Sequence, residues 1–501
     1  MEYAIAVIDI GMTNKKIAVY DNAFNQLDSK YRVFEPKVVD GLETHDLEGM
    51  EEWFIVCLKE LASLYPVKAL AVTTHGATFI CTGKDGKPAL PCVYYTHEPG
   101  DDFHRRFYEQ FGDPLKLQKQ TGTAAFKALI NAGKCLLFLK ERYTELFKNI
   151  VYILPYAQYW GLRFTGEIGV ESTSMGNHNY LWDHAANTLS SVARELGITA
   201  FIPDKLNNSW DILGKITVEF AEKTGLATDT IVTMGIHDSN STLLPHFAKK
   251  GERGFILNST GSWCVLMNPA EQYGFAPDEL GKVVFFNISA FGKPVKTAIF
   301  PGGLEFDTWS KLIMKRHGRN DFPDWNEALY RSIMNEKNVF LLPELTPGSG
   351  QFPESRARIV EDGKDYYFDI ITEPEGDAPP CFKDYETVFA VLNLSLVMQT
   401  ITALERTGLQ KGHEIYTEGG FRKNEPYNRL LSSAFPENRT FLTNINEATA
   451  LGAVMTAKMA LTGKSLTELA GDFTIEYRET EKQEFPELEA YRNAWLAKTE
   501  K

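Results

Sequence analysis

The start of the chain alternates short apolar stretches with polar turns. Residues 4–10 and 16–20 are mostly apolar, and the turn between them contains Gly11. Short apolar segments separated by turn residues predict antiparallel strands. Across residues 50–64 the apolar positions instead recur every three or four residues, which predicts a helix with one apolar face. Residues 69–74 predict a further strand.

The dipeptide Asp85-Gly86 predicts a β-hairpin, because Asp-Gly suits the tight turns that join antiparallel strands. Its two strands are expected in the apolar stretches at residues 79–81 and 90–93. Mixed strands and helices are predicted to continue to about residue 245.

A charged segment with two glycines, residues 249–254, separates the chain into two halves. A new strand is predicted directly after it, followed by further strands, a helix over about residues 385–406 and a strand that ends at Glu418. A glycine-bearing turn follows an early strand in both halves. We therefore predict two domains, residues 1–248 and residues 249–501.

Composition and charge exclude several classes of partner. The 501 residues are 44% apolar and 24% charged, as in a globular protein with a large core. The formal net charge of -14 provides no basic field for phosphate backbones or anionic lipid, so no nucleic-acid and no membrane partner is expected. No apolar run approaches the roughly 18 residues that span a bilayer.

The cysteines and the first residues of the chain indicate the cellular compartment. The six cysteines are scattered and contain no Cys-x-x-Cys pair, which is unlike a structural zinc site or a redox pair and favours a reducing compartment. The first residues predict a strand rather than a secretory signal. We therefore expect a cytoplasmic protein.

The first candidate site follows the first strand. There Asp9 precedes a tight turn in which Gly11 permits close approach to phosphate oxygens, Thr13 and Asn14 can donate hydrogen bonds, and Lys16 adds positive charge. Asp9 could hold a hydrated Mg²⁺. The alternative is an ordinary hairpin turn.

Two glycine-containing turns in the second half are further candidates. Residues 258–263 run from a strand into small hydroxyl residues around Gly261, whose backbone N–H groups could bind a phosphate. Residues 416–424 contain Gly419-Gly420, which would leave a flat opening for a purine ring. The alternative for both is a plain turn between a strand and the next element.

A carboxylate at Asp238 lies between a predicted strand at residues 230–234 and a possible helix. The positive end of the helix dipole would lower the pKa of Asp238 and keep it ionised. The alternative is that Asp238 only caps the helix. The chain contains no Gly-x-x-x-x-Gly-Lys-Ser/Thr loop, no Gly-x-Gly-x-x-Gly fingerprint and no His-Glu-x-x-His motif, so any nucleotide chemistry must use another design.

Taken together and in order, these segments resemble the FGGY carbohydrate kinases of the actin, Hsp70 and hexokinase-like superfamily. The resemblance extends over nearly the whole chain, and Ser262 stands where the family usually has Thr. The matching segments are residues 9–16 (first phosphate motif), 235–238 (catalytic segment), 261–263 (second phosphate motif), 419–424 (adenine motif) and 447–453 (the helix that follows). A stretch from residue 72 resembles the sugar-side strand, which nominates His75 and Gly76 as substrate neighbours.

The resemblance implies an α/β, two-domain actin/Hsp70/hexokinase-like (ribonuclease H-like) fold, in which two lobes with five-stranded sheets close over a central cleft. It implies that Asp238 takes the proton of a sugar hydroxyl, with ATP and Mg²⁺ in the cleft. Our candidate site residues are Asp238 for catalysis; Gly11, Thr13, Asn14, Lys16, Gly261, Ser262, Gly302, Gly303, Gly419, Gly420 and Asn424 for ATP; His75, Gly76, His97, Glu171, His237 and Asp238 for the sugar; and Asp9 and Asp238 for the metal.

Within the family, the Thr-Asn of the first motif and His237-Asp238 resemble the L-fuculose and L-rhamnulose kinases most closely. We therefore favour a 6-deoxyketose as acceptor and keep xylulose- or ribulose-type pentuloses as alternatives. Residues 94–98 and 429–433 depart from the family pattern, and this leaves the choice of substrate open. Rival interpretations are an actin- or Hsp70-like ATPase and a catalytically silent sugar-binding relative. The expected partner is a small-molecule sugar, with a homodimer as an option.

Overall fold

A computed structural model describes residues 2–373, 376–445 and 447–499. The strands of the first half are β1 (Ala4–Ile10), β2 (Asn14–Asp21), β3 (Gln26–Val33), β4 (Lys37–Val39), β5 (Leu42–Thr44), β6 (Val67–Thr74), β7 (Phe79–Thr82), β8 (Tyr152–Pro155), β9 (Val170–Glu171), β10 (Trp182–Asp183), β11 (Thr188–Leu189), β12 (Leu206–Asn207), β13 (Ile212–Lys215), β14 (Ile231–Thr233) and β15 (Ile236–His237). Its α-helices are α1 (Leu47–Leu64), α2 (Asp101–Phe111), α3 (Pro114–Thr121), α4 (Ala132–Arg142), α5 (Thr144–Phe147), α6 (Tyr156–Thr165), α7 (Ser172–Met175), α8 (Ser191–Glu195), α9 (Val218–Thr224), α10 (Asp238–Ser241) and α11 (Leu244–Lys250).

The second half is built in the same way. Its strands are β16 (Phe255–Thr260), β17 (Cys264–Pro269), β18 (Val284–Ile288), β19 (Pro294–Phe300), β20 (Val339–Leu342), β21 (Arg358–Glu361), β22 (Lys364–Tyr367), β23 (Glu414–Gly419), β24 (Arg439–Thr443) and β25 (Tyr477–Glu479). Its α-helices are α12 (Gly302–His317), α13 (Glu327–Glu336), α14 (Phe368–Thr372), α15 (Tyr385–Arg406), α16 (Glu425–Ala434), α17 (Ala448–Thr462) and α18 (Leu488–Thr499). Short 3₁₀-helices lie at Thr199–Phe201, Pro380–Lys383, Gly420–Lys423 and Thr467–Asp472.

The main sheet of the first half has the strand order β13-β14-β6-β1-β2-β3, and β15 also pairs with β6. β1, β2 and β3 are antiparallel, whereas β6 runs parallel to β1, β14 and β15. Gly235 separates β14 from β15 and has a φ of 85°, a conformation that glycine adopts readily. β14 and β15 are therefore two segments of one interrupted strand beside β6.

The main sheet of the second half repeats this plan. Its order is β18-β19-β17-β16-β23-β24-β25, with β16, β17 and β19 antiparallel and β16, β23 and β24 parallel. Each half therefore contains the expected five-stranded core in one common order. The described sheets are wider than predicted because β13, β18 and β25 add antiparallel edge strands.

The two faces of β1 pack against different parts of the chain. Ala4, Ala6 and Ile8 belong to a core with helix α1, whereas Ile5 and Val7 belong to a second core with α17 from the other half. Strands buried on both faces read as nearly continuous apolar runs, as β1 does. Helix α17 of the second half therefore packs on β1 and β6 of the first sheet and joins the two halves.

Helix α15 is the core helix of the second half and confirms the helix predicted over residues 385–406. Its length and apolar composition would suit a membrane span, but 94% of its most apolar window is buried inside the protein. A core helix of this kind meets the same criteria. The helix predicted over residues 50–64 is likewise present as α1.

The hairpin predicted at Asp85-Gly86 is only partly correct. The turn forms, since the N–H of Gly83 donates to the carbonyl of Lys87 at 2.9 Å. However, β7 pairs with β8 rather than with residues 90–93. Prolines within residues 88–91 lack the N–H that a strand donates, so that segment makes only an isolated bridge.

The division of the chain at residue 248/249 stays a prediction. Helix α11 runs across that position, and its His246 hydrogen-bonds Glu418 of β23 at 2.9 Å. Most of α11 belongs to the predicted first domain, but the helix contacts the second sheet, whereas α17 of the second half packs on the first sheet.

Candidate functional site

The turn between β1 and β2 is held by a buried lysine. The Nζ of Lys15 donates to the carbonyl of Met12 at 2.7 Å, and burial lowers the pKa of Lys15 to about 8. Because the C=O and N–H of a trans peptide point in opposite directions, the N–H of Thr13 points away from this ammonium group. Thr13 and Asn14 are exposed at the tip of the turn. The turn therefore presents donors outward, as an anion-binding turn does.

Lys16, the cation predicted for phosphate binding, lies on the face of β2 opposite to that of Lys15. Its Nζ contacts Gln26 Oε1 and Glu447 Oε2, each at 3.0 Å, and Glu447 precedes α17. Lys16 is paired with Asp9 across the β1–β2 ladder, and its charge lowers the pKa of Asp9. This ion pair connects the two halves beside Asp9.

Asp9 and Asp238 lie at the same edge of the first sheet, at the ends of two parallel strands that are separated by β6. In the first sheet, Asp9 of β1 and Ile236 of β15 both pair with Thr73 of β6, one on each side. Their backbones are thus two strand spacings apart, about 10 Å. The pKa of Asp9 is raised to about 7, first by burial and then by the negative charge of Asp238. The two carboxylates therefore face one region.

Burial raises the pKa of Asp238 to about 6, although hydrogen bonds from Ser239 oppose the shift. The prediction of a lowered pKa is therefore wrong. The helix that Asp238 begins, α10, is a single turn, so its dipole is too small to offset the loss of hydration. About 30% of the Asp238 side chain remains exposed, and its Oδ1 accepts a hydrogen bond from the N–H of Ser239 at 2.6 Å.

The two carboxylates fit a divalent cation. Carboxylate oxygens are the ligands that Mg²⁺ prefers, and Mg²⁺ usually takes one or two of them together with water and substrate phosphates. Among the described residues, no group of three or more His, Cys, Asp or Glu side chains is gathered as a metal site. A cation between Asp9 and Asp238 would relieve the repulsion that raises the pKa of Asp9.

Next to Asp238 lie three uncharged imidazoles. Burial lowers the pKa of His75 and of His178 to about 3 and that of His237 to about 4. His237 Nε2 lies 3.2 Å from Asp238 Oδ1, and a Cβ added at Gly76 would lie 2.8 Å from His237 Nε2. The structure therefore brings together four of the predicted sugar-site residues, namely His75, Gly76, His237 and Asp238.

Two other predicted sugar contacts have different surroundings. Glu171 is fully buried, and its carboxylate accepts hydrogen bonds from the N–H and Oγ1 of Thr173 and from Ser209 Oγ. The ring of His97 packs on Phe138, 5.3 Å between centroids. Glu171 thus caps the start of α7 from inside the protein, and both residues stay predictions as sugar contacts.

The glycine turns of the second half meet at the end of β16. β16 and β23 are parallel, and a Cβ added at Gly419 would lie 2.0 Å from the carbonyl oxygen of Thr260. A Cβ added at Gly303, at the start of α12, would lie 2.0 Å from the carbonyl oxygen of Gly261. Gly261, like its neighbour Ser262, is exposed. Three predicted nucleotide segments, around residues 261, 302–303 and 419–420, are therefore adjacent.

Asn424 caps α16, because its Oδ1 accepts from the N–H of Tyr427 at 3.1 Å. Its Nδ2 donates to Asn393 Oδ1 at 2.7 Å, which ties α16 to α15. Asn424 thus fixes the helix that follows Gly420, and its contact with adenine stays a prediction.

Comparison with known proteins agrees with this geometry. Residues 4–245 match the N-terminal domain of the FGGY family of carbohydrate kinases, and residues 252–465 match the C-terminal domain of carbohydrate kinase FGGY. The chain belongs to the FGGY family of carbohydrate kinases.

One relative of this FGGY chain is a probable L-xylulose kinase of Pasteurella multocida, which is 25% identical over 47% of the chain and 50% of the relative. Another is the xylulose kinase of Bacillus subtilis, which is 27% identical over 57% of each protein. The chain thus aligns with about half the length of these curated relatives. The crystal structure of a carbohydrate kinase from Novosphingobium aromaticivorans superposes with a TM-score of 0.80 at 26% identity, covering 99% of this chain and 98% of that one. The predicted two-domain fold with a central cleft is confirmed.

Three residues around the site of this FGGY chain were not predicted from the sequence. They are Lys15, His178 and Tyr95, whose ring lies 5.2 Å from that of His75. Strand alternation could have found Lys15, since Ile17 and Val19 on the same face of β2 are core residues. Tyr95 lies in residues 94–98, which depart from the family pattern, and none of the family motifs named above includes His178.

The adjacent glycines 419 and 420 allow a paired test in this FGGY chain. Gly419 has a φ of 78° and a ψ of -147°, so alanine there would cost about 1–3 kcal/mol of backbone strain before the clash with Thr260 is relieved. We expect Gly419→Ala to lower the unfolding temperature and to abolish ATP binding. A Cβ at Gly420 would make an ordinary contact at 3.7 Å, so Gly420→Ala should keep the wild-type unfolding temperature. Equal unfolding temperatures for both variants would contradict this geometry.

Proposed function

We propose that this FGGY chain transfers the γ-phosphate of ATP to a hydroxyl of a small sugar and that this acceptor sugar is a ketose. The observation that supports this best is the convergence of Asp9 and Asp238 beside three uncharged imidazoles. An ionised carboxylate next to neutral hydrogen-bonding groups suits the deprotonation of an uncharged hydroxyl. The exposed glycine turns suit the phosphates of a nucleotide.

Asp238 is the proposed catalytic base. The N–H of Ser239 donates to Asp238 Oδ1, and His237 Nε2 lies 3.2 Å from the same oxygen, which leaves the other carboxylate oxygen available to an acceptor hydroxyl. Asn240 Nδ2 lies 3.1 Å from His237 Nδ1, which favours the tautomer with the proton on Nε2. Asp238 would then orient the hydroxyl and accept its proton.

The turn at residues 11–14 and the segments around Gly261, Gly303 and Gly419 are proposed to bind the phosphates through backbone N–H groups. Gly302, Ser262, Gly420 and Asn424 are proposed to complete the ATP site. Asp9, with Asp238, would hold Mg²⁺, which when bound neutralises charge on the transferring phosphate. Closure of the two lobes would exclude water, which otherwise competes as the acceptor.

The acceptor is proposed to be a ketose. Both curated relatives are named xylulose kinases, which supports a pentulose, whereas the motif at residues 237–238 resembles kinases of 6-deoxyketoses. A screen of ketoses, polyols and aldonates with coupled detection of ADP tests this. We expect ADP formation to depend on a ketose; ADP release at one rate with and without every acceptor would reject the proposal.

The rival functions differ in measurable ways. An actin- or Hsp70-like ATPase would release inorganic phosphate and would need no acceptor. A silent sugar-binding relative would bind acceptor without turnover; its only hint was the departure at residues 429–433, where Arg429 forms ion pairs with Glu425 and Glu481. These ion pairs hold α16 to the segment after β25. They involve neither Asp238 nor Asp9, the residues proposed for turnover.

Three further proposals concern the whole protein. We propose a cytoplasmic location, which all six cysteines support because each is free. We propose a domain division near residue 248, which the two family matches on either side of residues 246–251 support. A homodimer with a small-molecule sugar as ligand is proposed as the working assembly.

The pH profile of kcat is expected to fall on the acid side. Asp238 must be ionised to accept a proton, and burial raises its pKa from 3.8 to about 6. A bound cation beside it would move that pKa downward again. We therefore expect an acid limb with an apparent pKa above 3.8 and at most about 6, measured with saturating ATP and acceptor. A limb centred at or below 3.8 would contradict the buried position of the base.

A further inference from the structure

The loop between α7 and β10 brings two polar side chains to the imidazoles. Asn177 Nδ2 donates to the carbonyl of Gly76 at 3.1 Å, and the ring of His178 lies 6.2 Å from that of His237. His237 in turn contacts Asp238. Asn177 and His178 therefore line the same region as the proposed base.

Both halves of the chain hold this loop. The ring of His178 packs edge-on against Phe126 at 5.8 Å and against Phe285 of β18 at 5.3 Å. Asn131 Nδ2 donates to the carbonyl of His178 at 2.9 Å, and the N–H of Ile288 donates to the carbonyl of Gly176 at 3.0 Å. A side chain fixed on several sides keeps one orientation, which a selective hydrogen bond requires.

Polar atoms in this region lack partners. Within the described residues, His178 Nδ1, His75 Nδ1 and Asn177 Oδ1 are buried and accept or donate no hydrogen bond. A buried polar atom that stays unpaired destabilises the folded protein. His178 as a whole residue is only partly buried. A ligand rich in hydroxyl groups would supply the missing partners.

The charges around these groups disfavour an anionic ligand. The carboxyl groups of Asp9 and Asp238 lie in this region and are proposed to hold Mg²⁺, and the Nζ of Lys16 is paired with Glu447 at 3.0 Å. The nearby ammonium group of Lys15 is bound to the carbonyl of Met12. Neither of these two lysines is therefore unpaired, and a carboxylate on the acceptor would be buried without a partner from Lys15 or Lys16.

We propose that His178, together with Asn177, is a specificity-determining residue that hydrogen-bonds a hydroxyl or carbonyl oxygen of an uncharged acceptor. The inference rests on the proposed function and names the class of its acceptor: a neutral ketose or polyol, and not a sugar acid. His178 selects the acceptor, whereas Asp238 acts on the hydroxyl that reacts.

The test compares His178→Ala and His178→Asn with His184→Ala. His184 is a matched control, since it is also a partly buried histidine with an unpaired nitrogen, and it stacks on Tyr273 at 5.0 Å. KM for the best acceptor, KM for ATP and the unfolding temperature are measured for each. We expect His178→Ala to raise the acceptor KM at least about tenfold, the loss expected for about 1.4 kcal/mol, with the KM for ATP unchanged. His178→Asn, which keeps a hydrogen-bonding group, should recover part of the loss.

The selectivity between acceptors provides the decisive readout. His178→Ala should change the ratio of kcat/KM between the best ketose and its deoxy or epimeric analogue, whereas His184→Ala should leave that ratio unchanged. An equal loss for all acceptors, an unchanged acceptor KM in both His178 variants, or preference of the wild-type protein for an aldonate overturns the inference while the kinase proposal stands. Failure of the wild-type protein to phosphorylate any acceptor overturns both.

Discussion

Replacing Asp238 with asparagine is expected to lower kcat for acceptor-dependent ADP formation by roughly 10²–10⁴-fold, the usual contribution of a positioned base. Asparagine keeps the size and the hydrogen bond from Ser239 but cannot take a proton from the acceptor. Binding of ATP should remain nearly intact, because the glycine segments of the second half are untouched. Steady-state kinetics and nucleotide titration measure the two effects.

The same variant should be no less stable than the wild-type protein. The folded-state pKa of Asp238 is raised above the unfolded value, so the free energy of unfolding falls as the pH rises from about 4 to about 6. At neutral pH the buried charge is therefore destabilising, and Asp238→Asn removes that cost.

Asp229→Asn, which changes an exposed partner of Lys68, is the control and should keep full activity. Acceptor-dependent turnover preserved in Asp238→Asn would remove Asp238 from its role.

Replacing Asp9 with asparagine is expected to raise the Mg²⁺ concentration needed for half-maximal activity at least about tenfold and to lower kcat. An amide retains one neutral oxygen ligand and loses the negative charge that attracts the cation. Asp9 also faces the charges of Asp238 and Glu447, which together with burial raise the pKa of Asp9. Mg²⁺ titrations of the initial rate at saturating ATP measure the effect.

Asp28→Asn is the control for Asp9, because the Asp28 carboxylate on β3 accepts a hydrogen bond from the N–H of Ser29. Its Mg²⁺ requirement should match that of the wild-type protein. If Asp9→Asn shows that same requirement, the metal does not bind at Asp9.

The fold was largely predictable because the sequences of both halves show the same succession of a strand, a glycine turn and a second strand. A strand followed by a glycine turn at Gly11 and again at Gly261 marks the first hairpin of each sheet, and α15 has the apolar pattern of a core helix. The edge strands β13, β18 and β25 were not predicted. They are short or pair with a neighbour on one side only, so their apolar periodicity is too weak to predict a strand.

The positions of the motif residues in the candidate site could be predicted from the sequence. Properties that depend on burial in the folded protein could not. The motifs located Asp9, Asp238 and His75, and the structure brings Asp9 together with Asp238 and His75 together with His237. The pKa of Asp238 could not be predicted, because its raised value depends on chain segments distant in sequence. The same holds for His178, whose neighbours Phe126 and Phe285 come from different halves.

The most direct measurement of the central claim follows the γ-phosphate of ATP by ³¹P nuclear magnetic resonance in the presence of Mg²⁺ and the best acceptor. The account predicts that the γ-phosphate signal is replaced by one phosphomonoester signal in equal amount to ADP, and only when acceptor is present. Conversion of the γ-phosphate to inorganic phosphate, with or without acceptor, would contradict it.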